Sequence, residues 1–335
     1  MKRRGLMALV LSTMVIPSIL FLLSGCDQSS SGSKNADVFE QLQQKTLAKR
    51  IAASSYSLVA MTESIVGEDY EVWMPAKADK IPTADEIRRL QSSDVLLTNG
   101  LGAAYATWLP MVTLDRQKIF ETTKDSFELS DYIQVHEHQI VHSHGGEGEH
   151  SHPWMVPHCW LNPRLALLQG QEVCDKLCDL YPEDAEPFRT NYKLLESSLQ
   201  EAVQDAAACQ ELLKAKKALL LLSDPRLKHF GRAVELDADF LLWFEPQEMQ
   251  AAKQQLQEMI AQESEGQKAD GQHLLLWARA PGPNERELMS GLKWIQLDLI
   301  ESPHSEKGFA RRVKDNFKRL ADGIEMAAEG SDGSE

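Results

Sequence analysis

Seven of the ten histidines in this 335-residue chain fall between His136 and His158, in the stretch HEHQIVHSHGGEGEHSHPWMVPHCWLNP. Six of them, His136, His138, His142, His144, His150 and His152, form the pairs HEH, HSH and HSH beside Glu137, Glu147 and Glu149. Histidines two apart in an extended chain face the same way, and neutral imidazoles take up Zn²⁺ in two- or three-ligand sets. Ordering such a loop costs chain entropy, so the spacing implies a segment that gathers metal rather than one that holds it. A merely solvated polar loop is a poor account of six histidines in seventeen residues. His158 stands apart from them. It lies just before a helix start, with Asn162 placed to cap and Pro163 at the first helical position.

The elements that must position these residues follow an alternating pattern. KRIAASS, YEVWMP, DVLLTNG and QKIFETT read as strands. LVAMTESIVG, TADEIRRLQSS (capped by Thr83) and AAYATWLPMV read as helices between them. The histidine segment has no apolar period and reads as a surface loop. After it, PRLALLQGQEVCDKLCDLY is helical, and NYKLLESSLQEAVQDAAACQELLKAKK is a longer helix, enough to link two lobes as a stiff spine. KALLLLSDP, DADFLLWFEP, HLLLWARAP and LKWIQLD then read as strands, with PQEMQAAKQQLQEMIAQE helical between two of them. SEKGFARRVKDNFKRLADGIEMA closes the fold as a helix, and an acidic tail ends the chain. Strand and helix in alternation imply parallel sheets covered by helices. The fold class expected is α/β: two lobes of parallel-sheet (βα) type joined by a long spine helix.

The beginning of the chain is of another kind. Lys2, Arg3 and Arg4 precede an apolar run and then Leu23, Ser24, Gly25 and Cys26. This reads as a secretory signal, and Leu-Ser-Gly-Cys resembles the lipobox of bacterial lipoproteins, which implies lipidation of Cys26. DQSSSGSKNAD then reads as a flexible tether. The organisation expected is a leader over 1–25, a tether over 26–47, a first lobe over 48–181 with the histidine loop at 136–152, a spine over 182–216, a second lobe over 217–326 and a disordered tail over 327–335. The formal net charge of −15 argues against nucleic acid and favours attraction of cations. Cys159, Cys174, Cys178 and Cys209 read as buried or bridged structural residues, with no pairing chosen by the sequence. His229 and His273 read as structural and His304 as exposed. The tryptophans Trp73, Trp108, Trp160, Trp243, Trp277 and Trp294 read chiefly as core.

The lipobox, the two lobes, the spine and a histidine-rich loop just before PHCWLNP together resemble the zinc and manganese solute-binding proteins of bacterial ABC importers. NGLGAAYATWL, NYKLLESSLQEA, SDPRLKHF and LDLIESP match the same family in order. The resemblance implies a metal held in the cleft between lobes by ligands from four places. The second is His158, in the family's His-x-Trp-Leu-Asp-Pro motif, here with Asn162 in place of the aspartate. The third is placed by Phe230, six positions on, at Asp224, where the family has His or Glu. The fourth is Asp298 in WIQLDLIESP. The first, a histidine in the family, has no counterpart in MPAKADKIPTADEIRRL, a shortened segment without histidine that contains Lys80. His150 and His152 are the candidates to replace it. One imidazole and two carboxylates suit zinc, with manganese or another divalent metal also within their chemistry.

The resemblance implies an extracytoplasmic, lipid-anchored, monomeric receptor on the periplasmic side of a bacterial membrane, with a membrane permease as partner. Two other readings compete with it. One is a diverged lipoprotein that buffers metal with the loop or serves in adhesion. The other is a metal-dependent hydrolase with Glu245 as base, although no nucleophile-base pair, phosphate loop or HExxH motif is present.

Overall fold

The computed structural model describes residues 49–75, 80–100, 108–135, 142–143, 149–150, 154–234, 254, 273–288, 293–304 and 307–329. Both lobes lie in the unit Ala48–Glu335. The leader, the tether and Cys26 fall outside the described residues, as do DADFLLWFEP with Trp243 and Glu245, and nearly all of the helical stretch after it.

The first lobe is built on β1 (Arg50–Ala53), β2 (Glu71–Trp73), β3 (Val95–Thr98) and β4 (Ile119–Glu121), all parallel in the order β2-β1-β3-β4. Parallel neighbours need crossovers, and α1 (Tyr56–Val66) and α2 (Ala84–Gln91) supply two of them. Their boundaries are local chemistry. The Ser55 hydroxyl caps α1 by accepting from the Leu58 N–H, and Gly67 ends it at φ +74°, a left-handed conformation that glycine adopts without steric penalty. Thr83 and Glu86 form a reciprocal capping box on α2. Strand residues alternate between two cores. Ile51, Ala53, Val95 and Leu97 join the main core, while Ala52 and Leu96 pack on the other face with Trp73, Leu90 and Trp108. In AAYATWLPMV only Leu109–Met111 is described as helical, and as a single 3₁₀ turn; residues 101–107 are outside the described residues.

The histidine segment contains paired backbone, where an unpaired loop was expected. β5 (Gln134–Val135) pairs antiparallel with β8 (Trp154–Met155), and inside that ladder β6 (His142–Ser143) pairs antiparallel with β7 (Glu149–His150). His142 and His150 are Cα partners across the inner ladder.

After a 3₁₀ turn at Cys159–Leu161, α3 (Pro163–Leu180) starts at Asn162, whose Oδ1 accepts the Arg164 N–H at 3.0 Å. α4 (Ala185–Lys216) is the spine. Its 32 residues span about 48 Å at ~1.5 Å each. Phe188, Tyr192, Leu195, Leu199, Ala202, Ala206, Cys209 and Leu213 recur every three or four positions as its buried stripe. Gly170 of α3 lets α4 come close: a Cβ there would stand 3.2 Å from the Tyr192 ring.

The second lobe carries β9 (Leu219–Leu222), α5 (Lys228–Ala233), β10 (His273–Trp277), α6 (Pro283–Leu288), β11 (Lys293–Gln296) and α7 (Phe309–Glu329). Its described strands are parallel in the order β11-β10-β9. α7 packs along α4 and continues to Glu329, past the expected end of the lobe at 326. Leu220, Leu222, Leu274 and Leu276 belong to the same core as the first lobe, so one hydrophobic interior runs through both. Trp73, Trp108, Trp160 and Trp277 are buried as expected. Trp294 is not, at 41% exposed, because β11 presents one face to solvent.

Candidate metal centre

His158, Asp224 and Asp298 each lie just beyond a sheet. His158 follows Pro157, whose carbonyl accepts from the Asn99 side chain at the end of β3. Asp224 follows β9, and Asp298 follows β11. In open α/β sheets the carboxyl ends of parallel strands are where ligands bind, so the topology delivers all three to the right edges.

His158 is 1% exposed. Its Nε2 lies 2.7 Å from Glu301 Oε1 of the second lobe, and with an ionised Glu301 the imidazole donates. The ring packs at 4.8 Å from that of Trp160, whose Nε1–H donates to the Leu299 carbonyl at 2.9 Å. Two contacts therefore tie this turn of the first lobe to residues 299–301 of the second. Burial pushes the His158 imidazole below its ordinary value, with Glu301 pulling the other way.

Asp224 caps the 3₁₀ turn Pro225–Leu227. Its Oδ1 accepts the Arg226 N–H at 2.8 Å and Arg226 Nε at 3.0 Å, and its Oδ2 accepts Arg226 Nη2 at 2.7 Å. The other guanidinium nitrogen of Arg226 reaches Glu301 Oε2 at 3.5 Å. Arg226 thus joins Asp224 to the His158–Glu301 pair.

Asp298 has its own arginine. Arg312 of α7, almost fully buried, donates from Nε and Nη2 to the two carboxylate oxygens, each at 2.7 Å. Burial works to raise the Asp298 carboxyl, but Arg312 and the Ile300 N–H hold it below the ordinary carboxylate range. Asn316 brackets the backbone of Asp298, accepting its N–H and donating to its carbonyl, both at 2.8 Å. Ile300, between Asp298 and Glu301, has φ +57°. A β-branched residue in the left-handed region is strained by roughly 1–3 kcal/mol, and such strain collects at functional turns.

Of the residues named from sequence, the fold brings His158 and Asp224 to one cluster through Glu301 and Arg226, and it holds Asp298 in a separate clasp with Arg312. Among the described residues, no three His, Cys, Asp or Glu side chains converge closely enough to grip an ion. His136, His138, His144 and His152 lie outside the described residues, and His142 and His150 are described only in their backbone pairing. Lys80 is exposed.

Glu301, Arg226, Arg312 and Asn316 were not foreseen. Glu301 and Arg226 stand within the quoted motifs LDLIESP and SDPRLKHF, so their nearness to Asp298 and Asp224 was legible; their partners were not. His229 is structural, fully buried with Nε2 on the Val156 carbonyl at 3.0 Å, and His304 is exposed. Cys159, Cys174, Cys178 and Cys209 are all buried free thiols, and the Cys174 and Cys178 sulfurs stand 4.0 Å apart.

The chain has relatives among transport lipoproteins. It is 23% identical over 229 residues to the iron ABC transporter substrate-binding lipoprotein MtsA of Streptococcus pyogenes serotype M1, covering 66% of this chain and 67% of that one. It is 20% identical over 250 residues to the manganese ABC transporter substrate-binding lipoprotein PsaA of Streptococcus pneumoniae, covering 72% and 74%. These relatives are substrate-binding transport proteins, not enzymes. The fold matches the Zn(II)-bound ZnuA-like domain of Streptococcus pneumoniae AdcA with a TM-score of 0.60 at 17% identity, over 83% of this chain and 99% of that one. The family model "zinc-uptake complex component A periplasmic" matches residues 51–268. With two parallel-sheet lobes, a spine helix and a buried histidine facing a carboxylate across the lobes, the chain belongs to this family of metal-binding, substrate-binding proteins of ABC importers.

Proposed function

We propose that this protein is an extracytoplasmic receptor, anchored through lipidated Cys26, that captures a divalent metal between its lobes and delivers it to a membrane permease. Zinc is the cargo favoured by the chemistry, since a buried imidazole with carboxylate neighbours suits Zn²⁺ and the order of divalent affinities places zinc above manganese and iron at nitrogen-containing sites. The observation that carries the reading is the 2.7 Å contact between His158 and Glu301, one from each lobe.

A metal would take the place of the proton these two groups share. His158 would supply Nε2 and Glu301 an oxygen, with Asp224 as a further oxygen ligand once Arg226 lets go and Asp298, held by Arg312, at the edge of the set. Glu301 then stands in the proposed set alongside the three residues expected from sequence. His136, His138, His142, His144, His150 and His152 would serve as a capture segment that raises the local metal concentration. The spacing of the pairs supports that role, and their weak individual affinity suits release into the cleft.

Titration of the purified full chain with Zn²⁺, read by calorimetry and repeated in His158→Ala and in a variant lacking residues 136–152, tests the proposal. One tight site that survives loss of the loop and disappears with His158 is the expected result. Binding that disappears with the loop and tolerates His158→Ala would sink it.

A further inference from the structure

Both aspartates at the cleft are already satisfied by cations of the chain itself. Asp224 accepts from the backbone N–H, Nε and Nη2 of Arg226, and Asp298 is clasped by both ends of the Arg312 fork. The two clasps differ in character. Arg312 is almost fully buried on α7, donates also to the Ser302 carbonyl at 2.8 Å, and lies 5.7 Å over the Tyr56 ring, so it is locked between the lobes. Arg226 is about a third exposed, stands in a short turn, and extends its guanidinium to Glu301, the partner of His158. One long side chain with access to solvent thus occupies the oxygens of two proposed ligands at once.

We propose that Arg226 sets the affinity threshold of the site, as an internal cation that any metal must displace from Asp224 and Glu301 before it can be held; the inference rests on the reading of this cleft as the metal site. An arginine stays charged at every physiological pH, so deprotonation of the guanidinium offers no escape and a competing cation must free the carboxylates. Charge-assisted forked bonds are about twice as strong as neutral ones, which makes the displacement a real threshold. The threshold is the same for every ion. It leaves the ratio of two metals' affinities alone and lowers both, so weakly coordinating ions such as Mg²⁺ and Ca²⁺ fall out of the occupied range while zinc stays within it. The arrangement also leaves Asp224 and Glu301 paired with a guanidinium in the metal-free cleft. Once displaced, the guanidinium has solvent to move into.

The test is competition of the full chain, solubilised in detergent, against chelators of known affinity for Zn²⁺ and Mn²⁺, comparing the wild type with Arg226→Gln and His158→Ala. Arg226→Gln is expected to bind both metals roughly ten-fold or more tightly than the wild type, by the same factor, since it removes a charge-assisted pair from the competition. Affinity in Arg226→Gln that is equal to or weaker than the wild type, with His158→Ala still weakening it, overturns the role of Arg226 and leaves the cleft reading standing. Affinity that His158→Ala leaves unchanged overturns both. If circular dichroism shows Arg226→Gln unfolded, Arg226→Met, which keeps the aliphatic stem, is held to the same criterion.

Discussion

Glu301 Oε1 lies 2.7 Å from His158 Nε2, and the two come from opposite lobes, 143 positions apart in the chain. A hydrogen bond between a buried imidazole and a partly exposed carboxylate makes the state of the lobes and the state of His158 a single question. If they hold a metal together, His158→Ala should weaken Zn²⁺ binding beyond the roughly 10–100-fold typical of losing an outer-shell partner. Glu301→Gln, which keeps the shape and one oxygen, should fall within that range. Calorimetric titration distinguishes them, and equal affinities in Glu301→Gln and wild type would remove Glu301 from the ligand set.

His229 makes stability depend on acid. It is fully buried, its Nε2–H donates to Val156, its Nδ1 has no hydrogen-bond partner among the described residues, and burial pushes its imidazole down to about 3 from the ordinary 6.5. Between these values the unfolded chain binds a proton that the folded chain does not. Stability therefore falls as pH drops below about 6.5, by about 1.4 kcal/mol per pH unit, until the folded imidazole itself titrates. His229→Gln retains a donor for Val156 and does not titrate, so its denaturant midpoint should depend less on pH over that window. A midpoint as steep as that of the wild type would count against this residue as the source.

Trp160 is completely buried, and its Nε1–H satisfies the Leu299 carbonyl across the lobes. Trp160→Phe keeps most of the apolar volume and strands that carbonyl, at a cost of about 1–3 kcal/mol. Urea unfolding should register the loss. No change in midpoint would mean that the carbonyl finds another partner.

The buried thiols should be chemically silent. Burial pushes Cys159 and Cys174 up to about 12 and Cys209 up to about 11, so thiolate is scarce at neutral pH. A thiol-specific colour reagent should leave Cys159, Cys174, Cys178 and Cys209 unmodified in the folded chain and titrate all four in denaturant. Fast modification of a native thiol would show that burial does not protect it.

Much of the framework was legible because its causes are local. Short apolar runs of four residues such as VLLT and LLLL, each followed by turn residues, have only a buried parallel sheet to go to. Asn162 and Pro163 start α3 by the chemistry of one turn, and the three- and four-residue spacing along 185–216 commits the spine to one buried face. The antiparallel ladders inside the histidine segment were not legible. Their strands are two residues long, too short to leave a period, and β5–β8 is held by pairing across 134–155.

At the cleft the division is sharper. The amino-acid order alone determined that His158 sits at a helix start, that Asp224 precedes a proline turn, and that Asp298 ends a strand, because each depends on neighbours within a few positions. Only the tertiary structure decided what these groups meet: Glu301 for His158, Arg226 bridging Asp224 to Glu301, and Arg312 for Asp298. The Arg226 and Arg312 pairings follow different logic. Arg226 lies two residues from its aspartate and still owes its reach to Glu301 to the packing of β9 and β11 about β10, whereas Arg312 is brought to Asp298 by α7 folding back over β11. Side chains that meet across such distances do so because a shared core holds the elements in place, and no local pattern in the chain records that meeting.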